Sequence, residues 1–141
     1  MMINSRLAVA IHIMVLLASN PRETVSSEWM AGSVNTNPVV IRRIMGMLRK
    51  AGLLTSSAGK TGAELTKDPS DITLLDIFKA VEPKDELFSI HEKPNPACPV
   101  GRNIQSALDL TFTRVQTAME EELRSQSLQD VMNMLSPKSI Q

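Results

Sequence analysis

Residues 37–52 read NPVVIRRIMGMLRKAG, and this stretch carries the signals of a complete helix. Asn37 is a suitable N-cap, and Pro38 stands at the first helical position, where its missing N–H costs nothing. Arg49 and Lys50 fill the last turn, where positive charge suits the helix dipole, and Gly52 supplies a stop. Apolar side chains recur between these ends at helical spacing: Val40, Ile41, Ile44, Met45 and Leu48. The sequence therefore predicts an amphipathic helix from Pro38 to Ala51.

The segments on either side of this helix predict a winged helix-turn-helix. Upstream, we expect a shorter helix over about 26–31 that Gly32 ends, followed by a tight polar turn. Downstream, residues 53–57 and 63–66 can form two short strands joined by the glycine-containing turn 58–62. Two helices joined by a tight turn, then a β-hairpin, give the order of a DNA-binding motif whose second helix enters the major groove.

The remaining chain predicts further helices. One is expected from Asn4 or Ser5 to about Ser19, and Thr73 caps another that runs to about Val81. A long helix from Pro99 to about Ser125 and a short one over 128–135 follow. We therefore expect a mainly α chain with a small β-hairpin: a winged helix-turn-helix domain at 1–82, a linker or sensor-type loop at 83–98, and a dimerisation helix with a C-terminal helix at 99–141.

The helix over 99–125 would be roughly 40 Å long at about 1.5 Å per residue. Its apolar residues form a stripe at helical spacing: Ile104, Leu108, Phe112, Val115, Met119 and Leu123. The preceding domain has no face long enough to cover this stripe, and an overhanging apolar stripe packs most simply on its own copy. The sequence therefore predicts a homodimer.

Composition excludes several classes of protein. The chain has 141 residues, of which 43% are hydrophobic and 21% charged, as in an ordinary globular domain. Three Phe, one Trp and no Tyr argue against a reader of nucleic acid that stacks bases on aromatic rings. The longest apolar run, residues 7–18, is shorter than the roughly 20 residues of a membrane span and lacks the flanks of a signal peptide. We expect a cytoplasmic chain without a membrane partner.

The charges are distributed unevenly although the net charge is zero. Residues 29–63 carry five basic side chains and no acidic one. A carboxylate in this window would repel phosphate groups, so the segregation favours double-stranded DNA as the partner. The expected DNA-contacting residues lie on the two helices, their turn and the wing: Ser26, Ser27, Asn35, Thr36, Asn37, Pro38, Val39, Val40, Arg42, Arg43, Arg49, Lys50, Ser57, Lys60 and Thr61.

Arg42 and Arg43 are adjacent, so about 100° separates them around the helix. We expect one of them to read a base edge and the other to bind a phosphate, while Lys60 anchors the wing. Two alternatives remain: a merely solvated helix face, or a winged-helix module that binds proteins and no longer binds DNA. The acidic stretch 68–92 lacks a convergent histidine, so we do not expect an enzyme.

The sequence also resembles the Rrf-type family of bacterial repressors, in particular its YwnA-like branch. The matching segments are residues 6–12, 37–44, 48–53, the wing and residues 71–76. The resemblance covers nearly the whole chain and implies a homodimeric winged helix-turn-helix repressor that binds a dyad-symmetric operator. Where the family's wing usually carries a double glycine followed by an aromatic residue, this chain has Gly62-Ala63-Glu64.

Cys98 is the only cysteine of the chain. Family members that bind an iron–sulfur cluster carry three cysteines in this region, and Cys98 matches only the last of them. Glu86 and Glu92 stand upstream, and carboxylates are poor substitutes for cluster thiolates, so we expect no cofactor and no metal. Cys98 is instead either an inert residue at a helix start or a redox-sensing thiol whose pKa the helix dipole lowers. The effector stays unknown.

Overall fold

The computed structural model of the chain describes residues 5–21, 25–56, 63–82 and 94–135. In chain order the elements are α1 (Arg6–Ser19), α2 (Ser27–Val34), α3 (Pro38–Lys50), β1 (Leu54–Thr55), β2 (Glu64–Leu65), a 3-10 helix (Pro69–Asp71), α4 (Leu74–Val81), α5 (Pro99–Arg124) and α6 (Leu128–Met134). The two strands pair antiparallel, with Leu54 opposite Leu65. The predicted mainly α fold with a small hairpin is confirmed. None of the helices in the described ranges is long and apolar enough to cross a membrane.

The core lies around α1. This helix packs against α2, α3, α4, α6 and β2, which explains why its apolar residues cover more than one face. Fully buried side chains come from α1 and from each helix that packs against it: Met14 from α1, Met30 from α2, Ile41 from α3, Ile77 from α4 and Leu128 from α6. An ion pair of 3.1 Å between Arg6 and Glu82 joins the start of α1 to the end of α4.

The second helix is longer than its sequence indicates. The expected stop at Gly32 is wrong, because α2 continues through Gly32 to Val34. The left-handed residue that ends it is Asn35, with φ of 63°. Asparagine tolerates this conformation better than most residues, and the half-buried Val34 packs on the core, so two further residues stay helical. By contrast, α3 ends at Lys50 with Gly52 at φ of 84°, as predicted within one residue.

Two capping boxes tie α6 to the domain. Thr73 caps α4 as predicted, and Asp76 completes a capping box there. Ser127 and Asp130 close the start of α6 in the same way. The two caps lie side by side: the Leu74 N–H donates to the Gln126 carbonyl at 2.9 Å, and the Leu128 N–H donates to the Ile72 carbonyl at 2.8 Å. These bonds and the burial of Leu128 join α6 to the core around α1. The predicted division at residues 82 and 98 stays a prediction.

The fifth helix behaves differently from all the others. Within the described chain none of its 26 residues is buried, although it packs along α4. Val100, Leu110 and Val115 are exposed, and Leu123 packs against the core at the end where α5 meets the domain. The helix therefore leaves the domain with most of its predicted apolar stripe only partly covered.

Candidate nucleic-acid interface

The exposed face of α3 carries the charge that the sequence predicted. Ile41, Ile44, Met45 and Leu48 point into the core and are buried. The exposed residues of α3 lie within about 120° of one another around the helix axis, at about 100° per residue. They are Val39, Arg42, Arg43, Gly46, Arg49 and Lys50. This amphipathic division leaves four cations and no anion of α3 on one solvent-facing surface, which we call the α3 face.

The start of α3 is fixed by its own residues. The Asn37 side-chain oxygen accepts a hydrogen bond of 2.8 Å from the Val39 N–H, and Pro38 occupies the first helical turn. Val40 is half-buried and packs on the core, whereas Val39 is 51% exposed. Asn37 and Val40 thus have structural roles here, and their predicted contact with DNA stays a prediction. Val39 is the apolar side chain that the helix start presents to solvent.

The turn between α2 and α3 is held by local hydrogen bonds. Asn35 adopts the left-handed conformation, and the Thr36 N–H donates to the Ala31 carbonyl at 3.0 Å. At the other end of α2, Ser26 caps the helix by accepting a 3.0 Å hydrogen bond from the Trp29 N–H, and Ser27 is half-buried. The turn bonds hold the end of α2 next to the start of α3, and the Ser26 cap fixes the other end of α2.

One acidic residue reaches the α3 face from α2. The Glu28 carboxylate accepts a hydrogen bond of 3.3 Å from the Arg42 guanidinium, and both side chains are exposed. Arg43 has no ion-pair or hydrogen-bond partner among the described residues. Sequence reasoning missed Glu28, because it lies one position outside the acid-free window. The signal was present, since Met30 and Ala31 point inward and leave Glu28 on the outer side of α2.

A second residue that sequence reasoning missed is Trp29, the only tryptophan of the chain. It lies in the first turns of α2 and is 52% exposed, which is unusual for a large aromatic side chain. The inward direction of Met30 and Ala31 would have placed it on the outer surface. Trp29 adds an apolar element near the start of the helix-turn-helix.

The described base of the wing is attached to the end of α3. The Thr66 hydroxyl donates to the Gly52 carbonyl at 2.7 Å, and the Thr66 N–H donates to the Leu53 carbonyl at 3.1 Å. The predicted wing contacts Ser57, Lys60 and Thr61 lie outside the described residues. The base alone sets where the hairpin leaves the domain, beside the C-terminal turn of α3.

Cys98 is exposed and stands at the N-terminal cap of α5. The backbone N–H groups of Gly101 and then Val100 lower the pKa of the Cys98 thiol, because they favour the thiolate at the start of the helix. Among the described residues no group of three or more His, Cys, Asp and Glu side chains could hold a metal ion. Glu86 and Glu92 lie outside the described residues.

The chain is similar in sequence and in structure to known transcriptional regulators. Residues 3–134 match the Rrf2 family, described as iron-dependent transcriptional regulators. YwnA of Bacillus subtilis (strain 168), named with the HTH-type transcriptional regulators, is 61% identical over 134 residues, which cover 95% of this chain and 99% of YwnA. The structure of CymR, the global cysteine regulator of B. subtilis, is similar with a TM-score of 0.67 at 26% identity, covering 93% of this chain and 95% of that one.

The fold extends to more distant relatives. IscR of T. potens shares it with a TM-score of 0.71 at 20% identity, covering 96% of this chain and 89% of that one. The relatives are transcriptional regulators and not enzymes, in agreement with the expectation from the sequence. The length of the family match and the identity to YwnA show that this chain belongs to the Rrf2 family of transcriptional regulators and has its DNA-binding winged-helix fold.

Proposed function

We propose that the protein is a homodimeric repressor that binds a dyad-symmetric operator, with the α3 face in the major groove and the wing turn 57–62 against neighbouring phosphates. The observation that carries this proposal is the α3 face itself. Four exposed cations share one side of a helix that follows a tight turn, and Glu28 is the acidic residue that pairs with one of them. Such a face is complementary to the phosphates that line the groove.

The geometry of α3 supports major-groove binding. An α-helix with its side chains is about 10–12 Å across, and the major groove is about 12 Å wide. Val39, Arg42 and Arg43 lie in the first half of the helix, the part that contacts base edges in helix-turn-helix proteins. Arg49 and Lys50 lie in the last turn, next to the base of the wing, and both can reach phosphates.

The dimer is supported by α5. A helix of 26 residues without a buried side chain is unusual in a chain that exists alone, and Val115 exposes apolar surface on its stripe. A second copy packed along α5 would cover this surface and repeat the α3 face by two-fold symmetry. Two such faces would bind half-sites about one helical turn of DNA, or about 34 Å, apart.

The test is a salt titration of duplex binding. A duplex is first selected from a random pool by the wild-type protein, and its affinity is then measured from low to high salt beside a scrambled duplex. Affinity for the selected duplex should fall steeply and linearly in log–log form, because bound cations release counterions from the phosphates. A protein-interaction module without DNA binding would select no duplex from the pool and would bind no duplex at low salt.

A charge-reversal pair makes the test local. Arg43→Glu on the α3 face and Lys79→Glu on the exposed side of α4 change the net charge of the chain by the same amount. Arg43→Glu should abolish binding at moderate salt, whereas Lys79→Glu should reduce it only by the general effect of charge. Equal losses from the two variants would contradict α3 as the reading helix. A promoter–reporter assay with the selected site then distinguishes repression from activation.

Redox sensing through Cys98 is a second candidate, favoured by one observation. The thiol is exposed and its pKa is lowered by the backbone of Gly101, which makes the thiolate more available to oxidants at neutral pH. If Cys98 senses oxidants, peroxide treatment should weaken binding of the selected duplex, and Cys98→Ser should bind it equally well with and without peroxide.

An iron–sulfur cluster does not fit the residues of this chain. Protein thiolates hold such clusters, usually four of them, and each chain supplies one, Cys98. The described residues also contain no group of three or more His, Cys, Asp and Glu side chains that could hold a metal ion. Anaerobically purified protein should therefore lack the iron, sulfide and visible absorption of a cluster, and stoichiometric iron and sulfide would overturn this conclusion.

A further inference from the structure

Gly46 occupies the centre of the α3 face. Arg42 and Arg43 stand four and three residues before it, and Arg49 and Lys50 stand three and four residues after it. Around the helix, Arg42 and Arg49 lie about 40–60° to one side of Gly46, and Arg43 and Lys50 lie about 40–60° to the other. The four cations are therefore divided into two pairs, with the glycine between them.

Nothing within the described chain requires a glycine at this position. Gly46 lies in the interior of α3 with an ordinary helical backbone, and the positive-φ glycine of the described chain is Gly52. A Cβ built at Gly46 meets no heavy atom of the described residues within 4 Å. Glycine is one of the least favourable residues in a helix interior, and alanine is the most favourable. Folding alone would thus favour alanine here.

We propose that Gly46 is the point at which α3 comes closest to the base edges of the major groove, and that the DNA occupies the space a side chain would fill. This inference rests on the proposed function. On this arrangement Arg42 and Arg49 lie toward one wall of the groove and Arg43 and Lys50 toward the other, so that each side chain can reach a base edge or a phosphate on its own side. Gly46 determines how deeply the helix can enter.

The dimensions of the groove make this position critical. A helix with side chains nearly fills the width of the major groove, so its depth of entry depends on the side chain at the middle of the inserted face. Long cationic side chains beside that point can extend toward the two walls without holding the helix away from the floor. A side chain at Gly46 itself points at the floor and must separate α3 from the bases.

The experiment compares Gly46→Ala with Gly32→Ala. Gly32 is a matched control because it is also exposed in a helix interior, lies on α2 outside the α3 face, and has open space around the position of a Cβ. Both variants should raise Tm by about 2–5 °C, because alanine replaces glycine in a helix. Gly46→Ala should weaken binding of the duplex selected by the wild type about tenfold, as the loss of one good base contact does. Gly32→Ala should bind it within about twofold of the wild type.

A graded series and a second readout complete the test. Gly46→Gln, with a longer side chain and good helix propensity, should weaken binding further while remaining folded by its Tm. A Gly46→Ala protein that is more stable yet binds the selected duplex less well supports the inference. Gly46→Ala binding as tightly as the wild type overturns it, and so do equal losses from Gly46→Ala and Gly32→Ala. If the wild type selects no duplex at all, the proposed function fails first, which distinguishes the two failures.

Discussion

Two helices of this protein, α1 and α5, differ in how much of their apolar surface is buried. Helix α1 has 14 residues and buries five of them, whereas α5 has 26 residues and buries none in the described chain. Both carry apolar residues at helical spacing, so the pattern alone does not separate them. The difference lies in their neighbours, because α1 has other elements on every side and α5 packs along α4. An apolar stripe is buried only where something covers it, and among the described residues nothing covers the exposed part of the α5 stripe.

The same contrast applies to charge. Helix α3 has four exposed cations on the α3 face and buried apolar side chains on its inner side. One helix therefore both contributes to the core and presents a surface for a polyanion. The exposed surface of α5 mixes apolar residues, such as Val115 on the stripe and Leu110 on the other side, with charges of both signs. We propose that DNA binds the α3 face and that a second copy of the chain covers the apolar stripe of α5. The predictions below test this assignment, beginning with the largest expected effect.

The first prediction concerns α5. Replacing Val115 and Met119 together by glutamate should convert the dimer into monomers in sedimentation, because two charges from each chain would be buried between the helices. Binding to the selected duplex should fall by several orders of magnitude as the two half-sites lose their linkage. Replacing Thr113 and Thr117 by glutamate is the matched control, since these exposed residues have the same spacing on the opposite side of α5. Dimers that persist in the Val115 and Met119 variant would contradict the role of this face.

The second prediction sharpens the boundary between the two regions, at the point where α5 ends. Leu128 is fully buried beside α1, whereas Leu135, at the end of α6, is 51% exposed. Leu128→Ala should lower the free energy of unfolding by about 2–5 kcal/mol, and Leu135→Ala should change it by less than about 0.5 kcal/mol. Chemical denaturation measures both. Similar small losses would mean that α6 is not part of the domain core.

Local signals in the sequence were sufficient for most of the domain. The residues around α3 include a cap, a proline, basic residues in the last turn and a glycine stop, and all of them act as predicted. The Thr73 cap of α4 is equally local, and it acts as predicted. Such signals involve residues within one turn of each other, so their meaning does not depend on the rest of the fold.

The parts that sequence reasoning missed depend on tertiary contacts. Gly32 looked like a stop because glycine is a poor helix former, but the packing of Val34 on the core extended α2 beyond it. The pairing of Glu28 with Arg42 requires the crossing of α2 and α3, which no single helix specifies. The attachment of α6 to the domain likewise depends on hydrogen bonds between residues 72–74 and 126–128, far apart in sequence.

The third prediction separates base reading from phosphate binding on the DNA-facing side. Replacing the arginine that reads a base by alanine should weaken the free energy of binding to the selected duplex by about 1–3 kcal/mol. The preference for one base should relax at one position in each half-site. Lys60→Ala should weaken all sequences alike and lower the salt slope by about one. Selected and scrambled duplexes at several salt concentrations measure these effects for Arg42→Ala, Arg43→Ala and Lys60→Ala, with Lys79→Ala as control. Wild-type binding by all three variants would refute this assignment.

The smallest effect is expected at Cys98, at the junction between the loop region and α5. The thiolate is the form that reacts with alkylating reagents, and the backbone of Gly101 and Val100 lowers its pKa in the folded chain. The alkylation rate should therefore rise with pH through a midpoint that lies below that of the same chain unfolded in urea. The chain has one cysteine, so the unfolded chain is an internal reference without interference from a second thiol.

The cause of that shift can also be tested separately from exposure. A Cβ on Gly101 would clash with the Asn95 carbonyl, so Gly101→Ala should displace the start of α5 and move the midpoint back toward that of the unfolded chain. Val100→Ala leaves the backbone N–H in place and should keep the lowered midpoint. If the folded and unfolded chains react with the same midpoint, the start of α5 does not stabilise the thiolate. Cys98 would then be an exposed but ordinary cysteine, and the contrast between the two regions would rest on α3 and α5 alone.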